Sequence, residues 1–316
     1  MISNTLEDAV AAYKQGCLDK YEYIDMMHKN NRFLYHLSNW LPQTDIASIE
    51  IHDKSLIFTT RRDNIKLVFN GLDRRGAPYD ILNFGSYEKE EINFISRILD
   101  SGSTMLDVGA NIGLNSLILS KRVKNMTVHA FEPIPETYQY LVTNITLNKA
   151  YNMHCYNFGL SNKHGKSPFY FFQGGAVLAS MQNVIDYSKA SKISCQLLEL
   201  DTFVENHSID NIDFIKCDVE GAELLVIDGG KKTIYEHLPV IQLELLAKWT
   251  RKFGYSPEDA FQFLAKYNYK GFYLKNEQLC EVTDFEKNYE KENYNFFFLH
   301  SKKHRKIIKN HSCMPA

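Results

Sequence analysis

The chain has 316 residues, of which 44% are hydrophobic and 23% are charged, and its formal net charge is -2. This composition is typical of an α/β domain with an extension, and the near-neutral charge gives no general attraction to nucleic acid or to an anionic membrane. The opening residues are acidic where a signal peptide would be basic, and no apolar run approaches a membrane span, so we expect a cytoplasmic protein without a membrane span.

The N-terminal quarter of the chain predicts an extension of two parts. Residues 1–45 carry apolar side chains at helical spacing, which predicts a helical segment. Residues 46–84 contain short alternating apolar runs separated by turn signals such as Asp53-Lys54, which predict a small antiparallel β segment. A helix is then expected over 88–99, with Ile92, Ile95 and Ile98 on one face.

From residue 104 onward, strands and helices alternate. Strands are predicted near 104–107, 127–131, 153–158, 212–217, 240–245, 270–274 and 294–300. Helices are predicted near 113–122, 136–148, 222–236 and 257–267. Such alternation predicts a Rossmann-like α/β domain over 85–300, with a mostly parallel sheet, helices on both faces and ligands at the carboxyl ends of the strands. The basic tail, 301–316, is expected to be solvated and frayed.

The run from Thr104 to Gly113 is typical of a buried strand that ends at Asp107, then a tight glycine turn, then a helix start. Gly109 and Gly113 can take positive φ, and Asn111 tolerates a left-handed backbone better than other residues with a Cβ. A dinucleotide turn of the G-x-G-x-x-G kind would need small residues where this chain has Asn111 and Leu114. A pyrophosphate would therefore fit this turn poorly.

A second acid, Glu132, ends the next predicted strand 25 residues after Asp107. This spacing fits one βαβ unit in which the second acid accepts hydrogen bonds from ribose hydroxyls. Asp107 favours a cationic group, and S-adenosylmethionine has an ammonium, a sulfonium and no phosphate, so it suits the pair better than a nicotinamide dinucleotide. The alternative is that each acid only caps a helix. Asn157 and Phe158, after the third strand, are candidates to bind adenine, or else a turn residue and a core residue.

Three carboxylates, Asp218, Glu220 and Glu223, lie within six residues after the predicted strand 212–217. Because like charges repel, they need donors, a cation or a raised pKa, and we expect Asp218 to face the sulfonium of the cofactor. Asp218 or Glu220 is the predicted general base, and Glu244 on the neighbouring strand is expected to join them. Glu223 is expected to begin the following helix and stabilise its N-terminus.

The same acids raise the question of a metal. Asp218, Glu220 and Glu244 are able to bind Mg²⁺ or Ca²⁺ through oxygen. The six cysteines lack C-x-x-C pairs and nearby histidines at metal-binding spacing, so nothing supports zinc, and we assign no metal site from the sequence. We expect the cysteines to be reduced thiols; they are Cys17, Cys155, Cys195, Cys217, Cys280 and Cys313.

Three segments together resemble the FkbM-type S-adenosylmethionine-dependent methyltransferases. They are Leu106-Asp-Val-Gly-Ala-Asn-Ile-Gly113, Ala130-Phe-Glu-Pro133 and Ile215-Lys-Cys-Asp-Val-Glu-Gly-Ala-Glu223. With the lead-in Asn83-Phe-Gly-Ser-Tyr-Glu88, the resemblance covers about residues 84–300. It implies a class I fold of seven strands with the last one antiparallel, and methylation of a hydroxyl on a sugar, a glycan precursor or a secondary metabolite. The cysteine of Lys216-Cys217 replaces an expected aliphatic residue.

Other functions remain open at this point. The nearest alternative is methylation of a polyketide or lipid-type hydroxyl. Two further alternatives are a non-catalytic module that binds S-adenosylmethionine, and a nicotinamide oxidoreductase. Enzymes that methylate nucleic-acid amines tend to have a Pro-Pro-aromatic motif where this chain has Asp218-Val-Glu-Gly221, so we expect no nucleic-acid partner. The loop Gln173-Gly-Gly175 is a candidate acceptor lid or simply the turn after a core strand. A homo-oligomer is left open.

Overall fold

The computed structural model describes residues 5–171, 179–183, 190–283 and 294–313. The predicted helical extension is present as α1 (Leu6–Lys14) and α2 (Lys20–Trp40), and a capping box on Asp19 fixes the start of α2. The predicted antiparallel segment is also present, as a sheet of β1 (Ile46–His52), β2 (Ser55–Thr60) and β3 (Lys66–Leu67). Two helices lead into the main domain: α3 (Ala77–Phe84) and α4 (Lys89–Ile98). Among the described helices, none combines the length and apolar character needed to cross a membrane.

The rest of the chain alternates as predicted. Its further strands are β4 (Thr104–Val108), β5 (Thr127–Phe131), β6 (Met153–Tyr156), β7 (Gly159–Ser161), β8 (Gly165–Phe171), β9 (Ser191–Glu199), β10 (Phe214–Cys217), β11 (Val240–Glu244), β12 (Tyr269–Lys275), β13 (Gln278–Glu281) and β14 (Asn295–His300). Its further helices are α5 (Leu114–Arg122), α6 (Pro135–Leu147), α7 (Leu200–Asn206), α8 (Glu223–Asp228), α9 (Lys231–His237), α10 (Ala247–Thr250), α11 (Pro257–Ala265) and α12 (Arg305–His311).

The central sheet has the strand order β13-β12-β14-β11-β10-β4-β5-β6. Five neighbouring strands of this sheet are parallel to one another: β11, β10, β4, β5 and β6. Strand β14 is antiparallel to both β11 and β12. All seven predicted strands are therefore present, including the antiparallel last one. An eighth strand, β13, was not predicted; it follows β12 through a two-residue turn in which Asn276 and Glu277 both have positive φ.

Two further features of the central region were not predicted. Strands β7, β9 and β8 form a second, three-stranded sheet, and β8 is the core strand that was expected before Gln173. The candidate lid Gln173-Gly-Gly175 lies outside the described residues. The helix predicted over 222–236 is wrong as a single helix, because it breaks into α8 and α9 at Gly229-Gly230. A Cβ on Gly229 would overlap the carbonyl of Ser161, so the chain needs glycine there and turns.

The C-terminal residues differ from the prediction in two ways. The tail is not frayed over 301–313, because α12 forms there and Ile307 and Ile308 pack against the core. Cys280 and Cys313 form a disulfide that joins the end of the chain to β13, so the expectation of six reduced thiols is wrong for these two. The other four cysteines are free. The pair is 33 residues apart in sequence, and only the pairing of β13 at the sheet edge brings it together.

The N-terminal sheet docks on the main domain through two asparagines of α6. Asn144 is fully buried, and its side chain accepts from the backbone N–H of Val68 at 2.7 Å and donates to the carbonyls of Val68 and Ile112. The side chain of Asn148 likewise accepts from the N–H of Lys66 and donates to the carbonyl of Lys66. These side-chain amides form the hydrogen bonds to the backbone N–H and C=O groups along β3 that a neighbouring strand would otherwise form.

Asn144→Ala should therefore destabilise the protein. Truncation leaves buried backbone groups of Val68 and Ile112 without partners, so we expect the free energy of unfolding to fall by about 2 to 3 kcal/mol. Urea denaturation followed by circular dichroism measures this change. Thr143→Ala, at an exposed neighbouring position of α6, is the matched control and should stay close to the unsubstituted protein. Equal stability of the two variants would contradict the docking role of Asn144.

Candidate active site

The turn between β4 and α5 has the predicted conformation. Gly109, Asn111 and Gly113 all have positive φ, at 86°, 52° and 87°. A Cβ on Gly109 would overlap the carbonyl oxygen of Asp218, and one on Gly113 would meet the side chain of Leu141. The turn therefore lies directly against the chain that leaves β10, and only glycine permits this close approach.

Glu132 holds this turn in place. Its carboxylate accepts from the N–H of Asn111 at 3.1 Å and from the N–H of Ile134 at 2.8 Å, one bond on each oxygen. The side chain is buried, and this burial raises the pKa of Glu132 to about 7, although the two backbone N–H groups act in the opposite direction. Because a carboxylate oxygen has more than one acceptor position, each oxygen can still receive another donor.

Asp107 lies at the floor of a cavity beside the turn. Its Oδ2 accepts from the hydroxyl of Ser116 at 2.6 Å, while its buried Oδ1 has no hydrogen-bond partner within the described part of the chain. Burial raises the pKa of Asp107, and the ammonium of Lys216 opposes this shift. The cavity is lined by Tyr87, Asp107, Gly109, Asn111, Lys216, Asp218 and Glu220, among others.

Lys216 is a site residue that the sequence analysis treated only as part of a motif. The register of β4 with β10 places it opposite Asp107, and its buried ammonium donates to Asp218 Oδ2 at 2.9 Å. Burial lowers its pKa, but the carboxylates of Asp218, Glu88 and Asp107 outweigh burial and raise the pKa well above the ordinary value. The signal in the sequence was a lysine inside a buried strand, directly before an acidic cluster.

The predicted catalytic acids do converge. Asp218, Glu220 and Glu244, called here the carboxylate trio, each present an oxygen such that all three atoms lie within 4.8 Å of one another. Burial, and then the neighbouring negative charges, raise the pKa of both Glu220 and Glu244 well above the ordinary value.

Glu220 has an unusual position within the trio. It is only 6% exposed, and its backbone is left-handed with φ of 56°, followed by Gly221 with φ of 101°. The hydroxyl of Ser180 donates to its backbone carbonyl at 2.9 Å. No residue that the structure describes donates to its Oε2. A left-handed backbone is costly for a residue with a side chain, so the surrounding structure must stabilise this conformation.

Glu223 has the structural role that was predicted for it. It begins α8, is fully buried, and accepts from the N–H groups of Val219 and Gly221 at 3.0 and 3.1 Å. The hydroxyl of Tyr255 lies 3.1 Å from its other oxygen. Glu223 thus shapes the loop that carries Asp218 and Glu220.

Residues 75–88 complete the site; they were not predicted as site residues, although the lead-in from Asn83 to Glu88 is part of the family resemblance. Glu88 has a left-handed backbone, accepts from the amide of Asn115 at 2.6 Å, and has a pKa raised to about 7 by burial. Beyond the trio a wider cleft of about 760 Å³ opens. Its lining includes Arg75, Tyr87, Glu88, Trp249 and Tyr294. The segment before the main domain therefore forms one wall of the site.

Asn157 and Phe158 do not line either space. The amide of Asn157 donates to the carbonyls of Glu132 and Pro133 at 2.9 and 3.2 Å, so it braces the turn after β5. The ring of Phe158 packs against Phe131, Tyr156 and Phe203. A small apolar recess beside them is lined by Gly109, Pro133, Leu160 and Val219, among others.

Comparison with known proteins agrees with this geometry. A family model described as the methyltransferase FkbM domain matches residues 107–270, which is more than half of the chain. Methyltransferase sdnD from Sordaria araneosa is 28% identical over 179 residues, which cover 48% of this chain and 68% of that protein. Hexuronic acid methyltransferase AglP from Haloferax volcanii is 25% identical over 179 residues, which cover 57% of this chain and 68% of that protein.

Among solved structures, a methyltransferase FkbM from Methylobacillus flagellatus has a TM-score of 0.45 and 19% identity. The match covers 70% of this chain and 53% of that one. At this level of similarity the fold is assigned from the strand order of the chain itself, and the family from the match over residues 107–270. The chain therefore belongs to the FkbM family of S-adenosylmethionine-dependent methyltransferases.

Proposed function

We propose that this enzyme methylates a hydroxyl oxygen of a saccharide or glycan precursor. The observation that carries the proposal is the carboxylate trio, which lies between the glycine turn and an open cleft with polar and aromatic walls. S-adenosylmethionine supplies a methyl group on a sulfonium. The residues of the chain must then position the acceptor hydroxyl and take its proton.

The residues around the turn fit the cofactor. The approach of Gly109 to the Asp218 carbonyl leaves backbone rather than side chain facing the cavity, and the unpartnered Oδ1 of Asp107 is suited to an ammonium. Glu132 would accept from the ribose hydroxyls, and the recess lined by Pro133 and Val219 would hold adenine. In this arrangement Asn157 and Phe158 support the adenine side from behind.

Within the trio, Glu220 is the better candidate for the general base. Asp218 Oδ2 already accepts a hydrogen bond from the Lys216 ammonium at 2.9 Å, so this oxygen is less available to an acceptor hydroxyl. Glu220 Oε2 has no such partner, and its raised pKa brings it closer to the value that suits proton transfer near neutral pH. Glu244 presents an oxygen within 4.8 Å of those of Asp218 and Glu220, and it would help to hold the transferred proton.

The cleft walls favour a polyol acceptor. Acids such as Asp80 and Glu91 accept from hydroxyl groups, and the rings of Tyr87, Trp249 and Tyr294 offer faces on which a sugar can stack. Arg75 is placed to contact an acidic sugar, and the similarity to a hexuronic acid methyltransferase supports that choice. A polyketide or lipid-type alcohol would leave these polar groups without partners.

A panel of acceptors tests the proposal. The protein is incubated with S-adenosylmethionine and hexoses, hexuronic acids, glycan precursors or long-chain alcohols, and products are identified by mass spectrometry. We expect one methyl ether per saccharide and a preference for hexuronic acids that Arg75→Met reduces. Turnover confined to the apolar alcohols would contradict the saccharide assignment and leave the methyltransferase intact.

A further inference from the structure

The carboxylate trio has an arrangement that proton transfer alone does not require. Three acids from two strand ends, Asp218, Glu220 and Glu244, offer one oxygen each, and these oxygens lie within 4.8 Å of one another. Clustered carboxylates repel one another in a buried place unless something positive neutralises them. A general base needs only one of them.

The cationic side chains that the structure describes around the trio do not hydrogen-bond to all three acids. The ammonium of Lys216 bonds to Asp218 Oδ2 at 2.9 Å. Glu220 receives no such bond: it is 6% exposed, and its Oε2 has no hydrogen-bond donor among residues 5–171, 179–183, 190–283 and 294–313. A buried carboxylate oxygen without a donor is costly, which indicates that a ligand completes its coordination.

The separation of the oxygens has the scale of a single ion. Two oxygens on opposite sides of Ca²⁺ are about 4.6 to 5.2 Å apart, and those on opposite sides of Mg²⁺ about 4.0 to 4.2 Å. Every pair of trio oxygens lies within 4.8 Å, a limit that the ligands of one Ca²⁺ satisfy and that includes the separations found around Mg²⁺. Small side-chain movements would therefore suffice for either ion, and the all-oxygen donor set favours such hard cations over zinc.

We propose that Asp218, Glu220 and Glu244 form a binding site for one hard divalent cation, of the Ca²⁺ or Mg²⁺ kind. The ion would share its remaining positions with water and with the acceptor hydroxyl, which faces the same cleft. Binding of the ion stands on the geometry alone, whereas its contact with the acceptor rests on the proposed function. The hydroxyl proton would still pass to a carboxylate of the trio.

Isothermal titration calorimetry of the full chain tests the site directly. The protein is treated with a chelator, dialysed, and titrated with CaCl₂ or MgCl₂ without cofactor or acceptor. We expect one ion per chain with a dissociation constant on the order of 10⁻⁴ M or lower for at least one of the two ions. Glu244→Gln and Glu220→Gln each remove a charged ligand and should weaken binding at least about tenfold.

Glu277→Gln is the matched control, because Glu277 lines the same cleft but is already paired with Arg97 at 2.7 Å and with Asn93. Glu277→Gln should leave ion binding unchanged. The thermal unfolding midpoint of each variant is measured as well, and an unaltered midpoint shows that the variant folds. No saturable binding to the unsubstituted protein, or equal binding to all variants, overturns the proposal. Loss of turnover in Glu220→Gln without any ion binding would leave the proposed function standing and remove only the ion.

Discussion

Glu220→Gln should lower kcat by about 10² to 10⁴-fold while S-adenosylhomocysteine still binds within about twofold of the unsubstituted protein. The amide keeps the shape of the side chain but cannot accept a proton. The carboxylate that is lost lines the cleft, on a buried residue with a left-handed backbone. Single-turnover kinetics with the best acceptor from the panel, together with calorimetry, separate chemistry from binding.

Glu205→Gln provides the comparison for this substitution. Glu205 is exposed on α7, where it pairs with Lys232, and a surface ion pair of this kind contributes little. Its turnover should match that of the unsubstituted protein. Normal turnover in Glu220→Gln would show that another group is the general base, and Asp218 would be the next residue to substitute.

Glu132→Gln should weaken S-adenosylhomocysteine binding at pH 8 by roughly 10 to 100-fold, because it removes a charged acceptor from the ribose. In the free protein, burial raises the pKa of Glu132 to about 7. Ribose hydroxyls favour the ionised form, so affinity should rise as the pH increases through 7. At pH 6 only about one tenth of Glu132 is ionised, so binding to the unsubstituted protein should be roughly tenfold weaker than at pH 8.

The raised pKa of Glu132 also makes the folded protein less stable as the pH rises, whereas cofactor binding becomes stronger. Between the ordinary pKa of 4.5 and about 7, the folded protein keeps a proton on Glu132 that the unfolded chain has released. This contribution to stability is complete below pH 4.5 and is lost as the pH rises to 7. Calorimetry and denaturant unfolding at pH 6 and 8 measure both effects.

The variant identifies which group is responsible, since Glu88 and Glu223 also have a pKa of about 7. Glu132→Gln should flatten the pH dependence of binding, and whatever slope remains belongs to the other buried acids of the site. Glu136→Gln, an exposed acid on α6, should keep the full dependence. An unchanged slope in Glu132→Gln would show that Glu132 does not contact the ribose.

Local sequence was sufficient for the elements around the site. The strand that contains Asp107, the glycine turn and the strand before Glu132 form where their patterns predict, because each depends on neighbours within a few residues. Parallel strands also bring their carboxyl ends to one edge, so the meeting of Asp218 with Glu244 followed from strand order. The division of the chain into domains at residues 84 and 300 stays a prediction.

Contacts between distant segments could not be predicted in this way. The Lys216–Asp218 ion pair beside Asp107 depends on the register of β10 against β4, and Glu88 enters the site because α4 packs beside α5. The disulfide between Cys280 and Cys313 depends on β13, a strand too short and polar to stand out. The break at Gly229 depends on the close passage of Ser161.

The sequence by itself determined the alternating fold, the cofactor turn and the acids that follow the strands, since hydrophobic periodicity and glycine positions are local properties. Only the tertiary structure decided which of those acids is paired, buried or left without a donor. That outcome depends on distances between strands and on exclusion of water, and neither quantity is encoded in any single segment.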